Sequence, residues 1–266
     1  SLVGSEMCIR DRVTTIERLA DGQTWPILND GRAVVFSPDG EWLAWTAGQS
    51  GPPFDSARRE IWAGRVDGSQ ARPLLPLYSG SVIDWFPDGR RLMVSGRIDP
   101  SAADQSLFSL AFDPDSQPAP IDELLQTGRL NLLAQGNRVR GASLSPDGGY
   151  LAYQITMDAD ESKNGLWVVG VHSDQPAQRL PLYGAYRWRD ASRLLVIPLQ
   201  LGEAHRLWEF DARNLEAGPI PLTDPAVTAF TVANGDWSVS PDSRHVAFLS
   251  AEDRNIWLIS LAPANP

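Results

Sequence analysis

Apolar residues fall in short alternating runs along this chain, and five of those runs close on one kind of turn. Phe36-Ser37-Pro38-Asp39-Gly40, Trp85-Phe86-Pro87-Asp88-Gly89, Leu144-Ser145-Pro146-Asp147-Gly148, Trp188-Arg189-Asp190-Ala191-Ser192 and Val239-Ser240-Pro241-Asp242-Ser243 are copies of one unit. In each, an apolar anchor precedes a four-residue turn, and a second apolar residue stands seven positions after the anchor: Leu43, Leu92, Leu151, Leu195 and Val246. A third follows two positions later, at Trp45, Val94, Tyr153, Ile197 and Phe248. Residues two apart share one face of a strand, so that face is predicted to be buried. The turn chemistry explains the reversal. Proline presets φ, Asp holds the turn through its side chain, and Gly takes the left-handed position that follows. With Ala33–Phe36 leading in and Leu43-Ala44-Trp45 leading out, each copy reads as a hairpin.

A third strand with an aromatic follows every hairpin: Ile61-Trp62, Leu107-Phe108, Leu166-Trp167, Leu207-Trp208 and Ile256-Trp257. A weaker fourth is read at Arg72-Pro73-Leu74, Gln178-Arg179-Leu180 and Pro221-Leu222-Thr223. The anchors lie 49, 59, 44 and 51 residues apart. Four strands per unit at that period predict an all-β chain, a β-propeller of four-stranded antiparallel blades. The repeated Trp residues are expected in the core, where cutting one to Ala costs about 3–5 kcal/mol.

The register at the ends sets the blade count. Thr15-Ile16, Asp21-Gly22 and Leu28 match Ile61-Trp62, Asp67-Gly68 and Leu74 without a gap, so residues 13–30 read as a half-blade. Blades follow near 31–76, 80–134, 139–182, 184–224 and 235–262, the last with three strands, giving five to six blades in an incomplete six-bladed ring. Residues 13–266 are expected to form one domain. Residues 1–12 match no repeat position and resemble the translated read-through of a sequencing adaptor. They are set aside as a non-native or disordered leader.

Composition narrows the chemistry. The 42% apolar content and ten Trp exclude disorder, and no apolar run is long enough to span a membrane. Cys8, in the leader, is the only cysteine, so the domain holds no disulfide. The net charge of −10 and scattered Arg argue against nucleic acid, which calls for a basic field.

No catalytic residues, cofactor or metal site are expected. His172, His205 and His245 stand alone and read as surface or turn residues. Asp158, Asp160 and Glu161 form an acidic loop that lacks the glycine and distal Glu of an EF-hand. No Gly-x-Ser-x-Gly elbow is present. Loops at Gly48–Arg59 and Gly96–Gln105, and an insertion at Asp113–Gln135 where Pro120-Ile121-Asp122-Glu123 starts a short helix, interrupt the repeat. They are read either as binding loops on one face or as surface padding. Asp84 and Arg187 hold the same position, one before the anchor, on innermost strands. They are the candidate binding residues at the channel mouth, with local pairing as the plainer reading.

The Ser-Pro-Asp-Gly turn, the downstream (Ile/Leu)-Trp strand and the Asp-Gly before a short Leu-bearing strand resemble the WD-like repeats of the TolB type, across residues 13–261. That resemblance implies a six-bladed, monomeric, non-enzymatic scaffold that binds a protein or small ligand on its loop face. It also implies export to the bacterial periplasm or beyond. The fourth copy has lost its Pro and Gly, and no separate α/β domain is visible, so a Tol–Pal role does not follow. The alternative is the propeller gate of a prolyl-oligopeptidase-like serine hydrolase.

Overall fold

The structure, a computed structural model, describes residues 13–29, 34–48, 57–199 and 204–262, in two compact units that divide after Val139. The leader and the Gly51-Pro52-Pro53-Phe54 stretch lie outside the described residues.

The first unit opens with a hairpin of β1 (Val13–Arg18) and β2 (Gln23–Leu28). A seven-stranded antiparallel sheet follows: β3 (Val34–Phe36), β4 (Trp42–Gly48), β5 (Arg58–Arg65), β6 (Arg72–Trp85), β7 (Arg91–Arg97), β8 (Gln105–Ala111) and β9 (Leu130–Gly136). These are two four-stranded sheets sharing β6. Its first half pairs with β5 and its second half with β7, with a register shift between Tyr78 and Ser81. Separate strands were expected here. The chain instead bends in place: Ser79 takes φ +51°, and a Cβ on Gly80 would stand 2.8 Å from Leu77 Cβ, so only glycine fits the bend. The Asp113–Gln135 insertion contains the expected helix, α1 (Ile121–Gln126), anchored by buried Leu124. Its final part is not padding but β9, the fourth strand beside β8.

The second unit holds three antiparallel sheets. The first comprises β10 (Val139–Leu144), β11 (Tyr150–Ile155), β12 (Gly165–Gly170) and β13 (Gln178–Arg179). The second comprises β14 (Gly184–Trp188), β15 (Arg193–Pro198), β16 (Trp208–Asp211) and β17 (Ile220–Pro221). The third has β18 (Val232–Val239), β19 (His245–Ser250) and β20 (Ile256–Ser260).

Sheets stack face to face, so the middle strands are buried on both sides and lose their alternation. Leu194, Val196 and Phe210 face Leu166 and Val168 of the sheet before, while Leu195, Ile197 and Leu207 face Trp237, Val246 and Phe248 of the sheet after. Leu92, Met93 and Val94 are buried together in the first unit for the same reason. The stacking corrects one expectation. Phe108 of β8 is buried as expected, but in three other sheets the core residue of the third strand is the aliphatic one, Ile61, Leu166 or Leu207, each 0% exposed. Trp62, Trp167 and Trp208 are only half-buried, and Trp257 is 53% exposed.

One hydroxyl latches three of the five turns. Ser37, Ser145 and Ser240 each donate Oγ–H to the Asp two residues on, at 2.5–2.6 Å. The same oxygens accept the N–H of Trp42, Tyr150 and His245 at 2.9–3.0 Å, locking the turn to the outgoing strand. The serine hydroxyls, followed by the amides of Glu41 and Arg244, hold the Asp39 and Asp242 carboxyls below the usual carboxylate range. Two copies replace the serine. Phe86 is fully buried beneath the Arg91 guanidinium, 4.2 Å above its ring. Arg189 is buried and donates to Glu209 Oε2 at 2.6 Å and to the carbonyls of Ser243 and Ala262. Asp190 still caps that turn by accepting the Ser192 and Arg193 amides, which is why the loss of Pro and Gly leaves the reversal intact.

Candidate functional site

The two sequence-derived candidates, Asp84 and Arg187, lie in different units. Asp84, in the second half of β6, accepts the N–H of Trp85 at 2.8 Å. Burial raises its carboxyl above the ordinary value, with the amide bond opposing. Among the described residues it makes no ion pair. Arg187, on β14, donates Nη1–H to the Tyr186 carbonyl at 2.7 Å and lays its guanidinium 5.5 Å from the centre of the Trp237 ring. Both contacts are local, but neither is a charge pair.

Arg187 lines an open cleft of about 430 Å³ with Asp236, Trp237, Ser238, Ala247, Phe248, Leu249 and Ile256. The shape of β18 makes this cleft. Val232 pairs with Ser250 and Trp237 with Phe248, so the residues between bulge out around Gly235 at φ +73°. The bulge presents Asp236 to solvent and turns Trp237 inward, 5% exposed, beneath Arg187. The Trp237 Nε1–H is buried with no hydrogen-bond partner among the described residues, a deficit of about 1–3 kcal/mol. Asp236 and Arg187 are both exposed and form no ion pair with each other. The cleft therefore offers a cation on an aromatic face, a carboxylate and an apolar floor. Ser238 holds the same pre-anchor position as Arg187, which is the signal that points to β18. The bulge hides Asp236 and Trp237 from that count.

Cavities of similar size elsewhere in this unit, around His172 and Arg213 and around Glu161 and Arg179, have their arginines engaged. Arg213 pairs with Asp211 at 2.8 Å, and Arg179 donates to the Asn164 carbonyl at 2.7 Å. The acidic loop spends its carboxylates on its own backbone, Asp158 accepting from Asp160 N–H and Asp160 from Ser162 N–H. Among the described residues no group of three or more His, Cys, Asp or Glu is placed to hold a metal. His205 departs from the expected surface role. Its Nδ1 accepts the Val232 N–H at 3.1 Å, and its ring meets Phe230 edge-on. His245 opens β19 with its side chain 42% exposed, a surface position as expected.

With this geometry in hand, the class of protein is defined: an all-β, β-propeller fold. Among solved structures, the chain is similar to the β-propeller domain of the Trilobed protease from Pyrococcus furiosus, described as having an open velcro topology (TM-score 0.57, 12% identity, 92% of this chain and 73% of that one). It is also similar to an oligogalacturonate lyase in complex with manganese (TM-score 0.60, 12% identity, 95% and 72%). TolB from Acinetobacter baumannii is a further match (TM-score 0.51, 13% identity), with 93% of this chain aligned to 57% of that one. At such identities the likeness shows the fold alone. No family model matches the chain, and no curated protein matches it in sequence. No helix among the described residues is long and apolar enough to cross a membrane.

Proposed function

We propose that this chain is a non-enzymatic, TolB-like propeller scaffold of the bacterial envelope that binds a protein or small ligand at the Arg187–Trp237 cleft. The observation that carries the reading is the exposed, unmatched pair of charges set around a buried indole. Arg and Trp in such settings dominate recognition energetics, because a partner that covers them gains cation, stacking and apolar contact together. The likeness to TolB supports the propeller scaffold at the level of fold. The test is a binding comparison. Immobilised chain and its Arg187→Glu variant are exposed to a soluble envelope extract and then to purified candidates. A ligand held by the first and lost by the second supports the reading, and equal retention by both overturns it.

A second reading treats the chain as the gate of a serine hydrolase, favoured by the likeness to a protease's propeller domain. The reading frame recovered on both sides of the same locus separates the two. A Gly-x-Ser-x-Gly domain in that frame establishes the gate, and a signal peptide without one supports the exported scaffold.

A further inference from the structure

Asparagine is thermally labile, and most so before glycine, which has no Cβ to hinder attack by its own backbone nitrogen. The chain holds two such steps, Asn164-Gly165 and Asn234-Gly235, both in the second unit. The fold treats them differently.

The first is fastened on every side. Asn164 Oδ1 accepts the Asp158 N–H at 2.8 Å, and Nδ2–H donates to the Asp158 carbonyl at 3.0 Å. The Asn164 carbonyl accepts from Arg179 Nε at 2.7 Å, and its N–H donates to the Glu161 carbonyl at 3.1 Å. Gly165 is buried, pairs with Ile155 across the sheet, and would carry a Cβ only 2.6 Å from Arg179 Nε. The Asn164 carboxamide reaches the Gly165 nitrogen only by giving up two hydrogen bonds.

The second step lies in the β18 bulge. Val232 to Trp237 is five steps along β18, against two, Ser250 to Phe248, along β19. Among the described residues, Ala233, Gly235 and Asp236 have no cross-strand partner. Gly235 is exposed at φ +73°, and a Cβ there would meet nothing within 4 Å. Neither ladder nor packing restrains this backbone, so the ring closure that Asn164 is denied is open here.

We propose that Asn234 is a site of spontaneous deamidation, at which the protein gains a carboxylate two residues from Asp236 as it ages. The Gly235 backbone nitrogen bonds to the side-chain carbonyl carbon of Asn234. The bond to the amide nitrogen breaks, and ammonia leaves with the proton from Gly235. Solvent water then opens the cyclic imide at either carbonyl. One opening gives aspartate, and the other gives isoaspartate, whose backbone runs through the former side chain and is one methylene longer. A bulge already longer than the strand opposite accommodates that methylene. Each event adds one negative charge to a loop whose Asp236 shares a cleft with Arg187. The reaction does not depend on what that cleft binds.

Trypsin places the two steps in separate peptides, 164–179 and 214–244. The intact chain is held at mildly alkaline pH, folded and in urea, until the urea sample has converted, and both peptides are followed by mass spectrometry. In the folded protein Asn234 should gain about 1 Da, as resolved aspartate and isoaspartate forms. It should do so at least about tenfold faster than Asn164, which must first break its two hydrogen bonds. In urea the two should convert at comparable rates, showing that the fold sets the difference. Asn234→Gln should abolish the folded-state shift, and Asn234→Asp should co-elute with the aged aspartate form on anion exchange. The proposal is overturned if Asn234 stays intact in the folded protein, or if the two asparagines convert equally while folded.

Discussion

Replacing Arg189 by Met removes a guanidinium whose side chain is 4% exposed and lies 2.6 Å from Glu209 Oε2. Breaking a buried ion pair from one side costs about 3–5 kcal/mol, because the remaining charge stays buried. Two features adjust that figure. The carbonyls of Ser243 and Ala262 lose their donor, which adds to the cost. Arg193 Nε, 3.8 Å from Glu209 Oε1, partly compensates the stranded carboxylate. The expected loss is about 3 kcal/mol. Glu209→Met should cost less, about 2 kcal/mol, since Arg189 keeps its two carbonyl acceptors. With both replaced by Met, no charge is stranded, and the loss should stay near about 2 kcal/mol, a coupling of about 3 kcal/mol across the cycle. Urea denaturation followed by tryptophan fluorescence measures all four proteins. A single-variant loss below about 1 kcal/mol, or a coupling below about 0.5 kcal/mol, would refute the claim that this pair replaces the serine latch of the other turns.

Leu166→Ala should cost about 3 kcal/mol and Trp167→Ala less, reversing the order that residue size suggests, because only Leu166 is fully buried; thermal or urea unfolding of the two variants decides it. Acid should destabilise the protein in a defined window. The Asp39, Asp242 and Asp253 carboxyls lie below 3.8 when folded, Asp253 at about 2, where the Asn255 amide and side chain hold it as a carboxylate. The unfolded chain therefore takes protons first as pH falls. The contribution is complete above about pH 4 and disappears toward about pH 2, and denaturation midpoints at about pH 5 and about pH 3 should show the fall, less steep in Asp253→Asn.

The hairpins were legible because turn chemistry and strand alternation act locally, and the Ser-Pro-Asp order is needed wherever one hydroxyl must serve both a carboxylate and an amide. The facing of Ile61-Trp62 and its equivalents was not. Both residues are apolar, and period two alone leaves open which neighbour meets the adjacent sheet. β9 was hidden behind an insertion, since no turn motif marks its start. In the candidate site Arg187 was readable from register, but Asp236 and Trp237 were not, because a bulge shifts the count and is specified by a single glycine. Arg189 looked like decay of the motif. Its partner Glu209 is twenty residues away, beyond the reach of any local pattern.

Because β6 runs through the joint between two sheets without a loop, that joint has no hinge. Opening either sheet strains the hydrogen-bonded strand that the other depends on, so the two should melt together, unlike beads on a string. The two ladders meet at Tyr78, which pairs with Arg58 on one side and Arg97 on the other, so the bend at Ser79-Gly80 is held from both sheets. A designer who wishes to add or remove a unit should therefore leave Arg72–Trp85 whole.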